Sequence, residues 1–221
     1  IEIAVANQAA MDAVQIVPSD DANYTWMVTY GANSTQKDYL KNIEGVSIYV
    51  EGGGNGKWVP LVIDVNEVRA ADVATSYHFA WAHGTGQDDT FNAATDVSAA
   101  TRALMATHGR GVYADTGAGS DTITGSAFAD HLAPGAGTDY VDGGLNDGTV
   151  PHGGKPEDVL QLTVASAAAA AQVQVVELSG SSTGADGEAF GRGYTHKVVQ
   201  PAAGGETDYI KGIERVSIQV F

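Results

Sequence analysis

Between Gly117 and Leu160 the chain repeats a nine-residue unit of glycine, aspartate and one large aliphatic residue, and no other feature restricts the fold as tightly. Consecutive nonads read TGAGSDTIT from Thr116, GSAFADHLA from Gly125 and PGAGTDYVD from Pro134. After a broken stretch, residues 143–152, comes GGKPEDVLQ from Gly153. Aspartate holds the sixth place at Asp121, Asp130, Asp139 and Asp158, and an aliphatic holds the eighth at Ile123, Leu132, Val141 and Leu160. The glycine-rich half lets the backbone turn tightly with φ > 0 and directs carbonyl oxygens inward. The x-aliphatic-x half makes a short strand with one side chain turned into a core. Two nonads then make one turn of a parallel coil, and residues eighteen apart stack on neighbouring turns about 4.8 Å apart.

Asp121 and Asp139 are such a pair, since 139 − 121 = 18. Two carboxylates at that distance repel by roughly 3–4 kcal/mol at an effective dielectric near 20. One aliphatic per nonad is too thin a core to offset this, so the pattern calls for a cation between the turns. Carboxylate and carbonyl oxygens, with no His or Cys recurring in the repeat, select a hard ion that takes many oxygen ligands, namely calcium.

These residues resemble the RTX (repeats-in-toxin) family, whose nonapeptide is GGxGxDxUx with U a large aliphatic. The resemblance implies a short parallel β-roll that binds calcium in its turns, with ligands at Gly117, Gly119, Asp121, Gly135, Gly137 and Asp139. It covers residues 116–160, two nonads near complete and two degenerate. The Gly125 nonad carries Phe128 where the second glycine belongs, which makes Asp130 a weaker ligand. Pro156 replaces a glycine ahead of Asp158, and an extra residue within 143–152 leaves the register on the Asp130 face open. An outlying stretch, Gly84-Thr85-Gly86-Gln87-Asp88-Asp89-Thr90-Phe91, looks like one isolated unit. It reads equally as a plain turn before a strand and as a ligand loop, with Asp88 and Asp89 as its candidate ligands.

An internal duplication brackets the repeat. At an offset of 170, KDYLKNIEGVSIYV from Lys37 and TDYIKGIERVSIQV from Thr207 share nine of fourteen residues. Upstream the offset becomes 159, pairing Ile1, Ile3 and Val5 with Leu160, Leu162 and Val164, so the second copy holds eleven extra residues within 177–193. Repetition on this scale means a modular array. The first copy opens at the residue equivalent to Leu160, where a preceding RTX block would end, and the chain is expected to be cut from a longer tandem protein. Modules ending in D-x-I-x-x-I-E-x-V are familiar beside RTX blocks in large secreted bacterial proteins.

The expected fold is all-β: a short parallel β-roll flanked by two related antiparallel β modules, with one short helix. Strand-like alternation marks residues 1–5, 14–17, 24–30, 46–50 and 58–65, and again 160–164, 172–178, 194–199 and 216–220. Glycine-rich turns such as 52–56 separate them. Asp96 can cap a helix over 97–107 that ends near Gly109 and covers one end of the roll. The alanine run 165–171 has helical propensity, but its place between two strands favours an extended or loop reading. The divisions are 1–66 for the first module, 67–115 for a connecting segment, 116–160 for the roll and 161–221 for the second module.

With 43% apolar and 17% charged residues the chain can bury a substantial core. Its 27 acidic against 11 basic residues, net −16, argue against nucleic acid and anionic membrane as partners. No apolar run approaches bilayer length, and without cysteine neither disulfides nor thiolate metal sites are available. An acidic, glycine-rich, cysteine-free chain fits type I secretion to the bacterial cell surface, where calcium is millimolar. Gly180-Ser181-Ser182-Thr183-Gly184 satisfies GxSxG but sits in a Ser/Gly-rich insertion followed by an acidic glycine loop rather than an apolar helix, and it reads as non-catalytic. There is no HExxH, and the six histidines show no paired ligand spacing. His78 and His83 flank Trp81 in an aromatic patch with Tyr77 and Phe79, where core packing is the default.

Three readings remain open. One is a non-enzymatic, calcium-rigidified structural or adhesive module of an S-layer, adhesin or matrix protein that self-assembles, its partners being calcium ions, neighbouring modules or further copies, and cell-surface polysaccharide. Another is the secretion and folding domain of an RTX protease or lipase. The third is a carbohydrate-binding module using Trp58, Tyr77 or Trp81.

Overall fold

One buried aliphatic per short strand is enough to hold a coil together only if successive strands stack in register, and they do. A computed structural model of the chain describes residues 1–31, 35–43, 45–51, 56–73, 75–144, 157–181, 183–201 and 205–220. Strands are the commonest element among these residues, joined by turns and short helices, and none of the described helices is long and apolar enough to cross a membrane. The chain divides into two compact units, Ile1–Val62 and Ile63–Phe221.

The first unit holds β1 (Glu2–Val5), α1 (Gln8–Ala13), β2 (Val14–Pro18), β3 (Trp26–Tyr30), β4 (Lys37–Leu40), β5 (Gly45–Val50) and β6 (Gly56–Pro60). β2, β3 and β4 form an antiparallel sheet, whereas β1 runs parallel to β5, which pairs antiparallel with β6. Ile3, Val14, Val28, Leu40, Val46 and Ile48 make its core.

The second unit opens with β7 (Asp64–Glu67), β8 (Ala80–His83), β9 (Thr90–Asn92), α2 (Ala93–Asp96) and α3 (Ala99–His108). It continues through β10 (Arg110–Asp115), β11 (Thr122–Thr124), β12 (Ala129–Ala133), β13 (Tyr140–Asp142) and β14 (Val159–Val164). It ends with α4 (Ala167–Ala170), β15 (Gln174–Glu177), α5 (Gly184–Gly191), β16 (His196–Gln200), β17 (Glu206–Lys211) and β18 (Arg215–Val220). From β8 to β14 successive strands alternate between two sheets, ordered β18-β14-β12-β10-β8-β7 and β15-β16-β17-β13-β11-β9. Phe91, Ile123, Val141 and Ile210 stack in one sheet, and Ala114, Leu132, Leu160 and Val216 in the other. Phe91, Ile123, Val141, Leu132 and Leu160 are fully buried, each such side chain contributing about 1.5–3 kcal/mol.

The duplication holds down to strand register. Ile3 faces Ile48 as Leu162 faces Ile218, Gln15 faces Thr29 as Gln174 faces Val199, and Val28 faces Asp38 as Val198 faces Asp208. α1 and α4 occupy matching places, capped by Asn7 and Ser166. The eleven extra residues of the second copy accommodate α5, whose Ala189 is buried among Leu178, Tyr194 and Tyr209.

Several expectations are corrected. The described residues hold five short α-helices rather than one, and local caps nucleate four of them: Asn7, Asn92, Ser98 and Ser166 each accept an amide hydrogen bond two or three residues on, whereas Thr183 ahead of α5 makes no such bond. The alanine run therefore contains α4 instead of an extended segment. Ser98, not Asp96, caps α3, which Gly109 closes at φ +63°. Asp96 instead accepts from the Asn92 amide. A helix, α5, does follow the GxSxG stretch, whose Ser182 lies outside the described residues. Neither copy is purely antiparallel, since each contains a parallel pair, β1 with β5 and β14 with β18. Residues 58–65 split into β6 and β7, which belong to different sheets. Gly52 to Asn55, and residues 145–156 with the broken unit, His152 and Pro156, lie outside the described residues.

Candidate metal centre

Strand pairing aligns Thr90, Thr122, Tyr140 and Tyr209, so the residues before them, Asp89, Asp121, Asp139 and Asp208, form one column across four strands. On the other sheet His131, Val159 and Arg215 align, and behind them stand Asp130, Asp158 and Glu214. Each amide is met by the acid of the next turn: the Asp89 amide donates to Asp121 Oδ1 at 2.7 Å, Asp121 to Asp139 Oδ1 at 2.8 Å, Asp130 to Asp158 Oδ1 at 2.9 Å and Asp158 to Glu214 Oε2 at 2.8 Å. Asp121, Asp130, Asp139, Asp158 and Asp208 are all buried.

The loops ahead of these acids stack as well. Gly135 (φ +89°) and Gly137 (φ +141°) lie against the loop before them so closely that a methyl group on either would stand 1.7 Å from the carbonyl oxygen of Gly117 or Gly119. Only glycine permits both the left-handed backbone and the contact. A methyl on Gly117 or Gly119 would likewise run into the carbonyls of Thr85 or Gln87. The outlying Gly84 unit is thus the first loop of the same stack, with Asp89 in the ladder. Exposed Asp88 accepts from the Ser120 amide at 2.7 Å and ties that loop to the next.

What each aspartate does depends on the second residue of its loop. Where that residue carries a hydroxyl, the acid folds back on its own loop. Asp89 accepts from the Thr85 amide and hydroxyl, and Asp130 from the Ser126 amide at 2.5 Å, the Ser126 hydroxyl at 2.8 Å and the Val112 amide at 2.7 Å. Where the second residue is Gly117 or Gly135, that second-place donor is absent, and for Asp121 only the Thr116 hydroxyl approaches the carboxyl. Asp121 Oδ2 and Asp139 Oδ2 are then buried without a hydrogen-bond partner, as is Asp208 Oδ1.

A buried carboxylate without compensation resists ionisation. Burial pushes Asp130 up to about 7 despite its donors, and it raises Asp121. Burial raises Asp139, with the Asp121 charge adding to it and a hydrogen bond from the Asp208 carboxyl opposing it; burial and the Asp139 charge raise Asp208. Left alone, Asp121, Asp130, Asp139 and Asp208 therefore favour the protonated form, and ionising them calls for compensating positive charge.

The donor set fits a hard cation. Asp121 and Asp139 close loops whose glycines lie against the carbonyls of the neighbouring turn, so the donors on offer are carboxylate and main-chain oxygens, a set suited to calcium. Among the described residues no three His, Cys, Asp or Glu side chains converge as a cage, so such an ion would be held by carboxylate pairs and main-chain oxygens. Asp208 and Glu214 escaped the sequence reading although both lie in the D-x-I-x-x-I-E-x-V motif; their place in the ladders emerges only once β17 and β18 pair with the coil.

On the outer face of the second sheet Trp81, Tyr113 and His131 form a row. His78 packs on all three, and burial pushes it down to about 4. Phe79 is buried, and Tyr77 is exposed with Arg110 over its ring. Trp58 lies on β6 of the first unit. Comparison of the chain with protein-family models, with curated proteins and with solved structures returns no match.

Proposed function

We propose that the second unit is a calcium-dependent structural module whose coil is a short β-roll of the RTX kind, carried by a secreted, surface-associated bacterial protein of the S-layer, adhesin or matrix type. The observation that carries this reading is the pair of buried, partnerless oxygens on Asp121 and Asp139, which close stacked glycine loops. Asp121 and Asp139, with main-chain oxygens of Gly117, Gly119, Gly135 and Gly137, would hold the ion. Bound calcium supplies the positive charge that offsets carboxylate repulsion and burial. Asp89, Asp130 and Asp158 with Glu214 hold loop shape and spacing by accepting amide and hydroxyl hydrogen bonds. In the calcium-poor cytoplasm the stacked acids repel and the repeat stays unfolded and competent for export. In millimolar calcium outside the cell the coil closes and presents its sheets for self-association.

The alternative within the same chemistry is a secretion and folding domain of an exoenzyme, which an upstream protease or lipase motif in the full-length gene would select. Far-UV circular dichroism during a calcium titration tests the reading. A cooperative gain of β signal at sub-millimolar to millimolar calcium, absent from Asp121→Asn/Asp139→Asn, is the expected result. A folded chain indifferent to calcium and EDTA refutes it.

A further inference from the structure

We propose a second cation site at the joint between the coil and the duplicated module, shared by Asp139 of the coil and Asp208 of β17; it rests on the calcium reading of the coil. The two acids are 69 residues apart (208 − 139), yet the pairing of Tyr140 with Tyr209 and the 2.7 Å hydrogen bond from the Tyr209 amide to the Asp139 carbonyl make them ladder neighbours. The module's D-x-I motif thus takes the place of the next nonad. Both residues are fully buried, and each keeps one oxygen, Asp139 Oδ2 and Asp208 Oδ1, that no other group of the protein satisfies; the two carboxyls stand within hydrogen-bond reach of one another, so the pair holds either a shared proton or a cation.

The duplication supplies an internal control. In the first copy the equivalent acid, Asp38, is exposed and accepts from the Tyr30 hydroxyl through Oδ2. In the second copy Gln200, the counterpart of Tyr30 at the same offset of 170, donates from Nε2 to Oδ2 of Asp208 at 3.3 Å. The same side-chain partnership therefore stands at the same place in both copies. What differs is the surroundings: β4 ends its sheet among the described residues, whereas β17 has β13 on its other edge. Keeping an acid where the coil buries it is costly for packing alone, and it is expected where the orphaned oxygen serves as a ligand.

A cavity of about 420 Å³ is lined by Gly135 and Ala136 of the coil and by Gln200 and half-buried Glu206 of the module, but neither Asp139 nor Asp208 opens onto it. The further oxygens that a calcium site of 6–8 ligands requires would therefore come from the main chain around the two acids. An ion held there belongs to the coil and the module at once, so calcium would fix β17 against β13 and, through β16, order the hairpin of the second copy.

Calcium stoichiometry by titration calorimetry on the whole chain, with Asp208→Asn and Asp38→Asn, tests the site. Asp208→Asn is expected to bind one ion fewer than the parent and Asp38→Asn the same number; equal stoichiometry for Asp208→Asn overturns the joint site. Hydrogen exchange of the unmodified chain decides the matter independently of how the variant folds. Calcium should slow the amides of residues 207–211 together with those of 140–142. Protection confined to 117–142 overturns the joint site and leaves the coil reading standing, whereas no protection anywhere overturns both.

Discussion

The two faces of the coil are built from the same nonad and do opposite things with their acids. On the face of Gly117 and Gly135 the aspartates keep orphaned oxygens. On the face of Ser126, Asp130 is satisfied by two amides and a hydroxyl. One atom in the second place of the loop separates the two outcomes: a hydroxyl turns the carboxylate into a clamp on its own loop, and its absence leaves the carboxylate for something else. The Gly84 loop shows that the rule follows the residue and not the face, since Thr85 locks Asp89 although Asp89 stands in the glycine column.

The sharpest way to break this comparison is Asp121→Asn/Asp139→Asn, which should abolish the calcium-induced β signal in circular dichroism, while Asp130→Asn should leave the calcium midpoint within about threefold. A threefold change corresponds to less than 1 kcal/mol. A calcium dependence lost equally in both would erase the distinction between the faces.

The next largest effect is a pH dependence that calcium weakens. Without calcium the raised carboxylates favour the folded state only while protonated, so their contribution is complete below the unfolded value near 3.8 and is lost as pH rises through about 7 for Asp130. For that residue alone the loss is on the order of 4 kcal/mol. Thermal unfolding in EDTA should therefore show a lower midpoint at pH 8 than at pH 5. In saturating calcium the difference should shrink, because the ion offsets the cost of ionising Asp121 and Asp139 and protons compete with it for those oxygens, whereas the cost of ionising Asp130 remains.

Smaller effects sharpen the picture. Ser126→Gly removes the clamp on Asp130 and should cost about 1–3 kcal/mol in urea unfolding at pH 5, where that acid is protonated in the fold. Lys211→Ala breaks the partly exposed ion pair with Asp142 at 2.9 Å and should change stability by no more than about 1 kcal/mol.

Much of this architecture was legible in the residues. The nonad gave the coil's strands and the stacking of Asp121 on Asp139, and the offsets of 159 and 170 carried over to the strand register of both copies. The Gly84 unit could not be joined to the repeat by spacing, because α2 and α3 are inserted between β9 and β10 and stretch the interval from Gly84 to Thr116 to 32 residues instead of eighteen. Alanine-rich α4 was hidden by its neighbours: two flanking strands suggested continuity, yet the Ser166 hydroxyl caps a single turn that interrupts them. Asp208 and Glu214 were invisible as ladder members because sequence distance says nothing about which strand a returning module will lie beside.

β17 is bonded along both edges, to β13 in parallel and to β16 antiparallel through five residue pairs from His196 to Gln200. A tensile load drawn along the strands would meet those hydrogen bonds in shear, so that they share the force and yield together, where a strand peeled from a sheet edge gives way one bond at a time. The joint between coil and module is then a seam whose toughness is set by how many bonds fail at once.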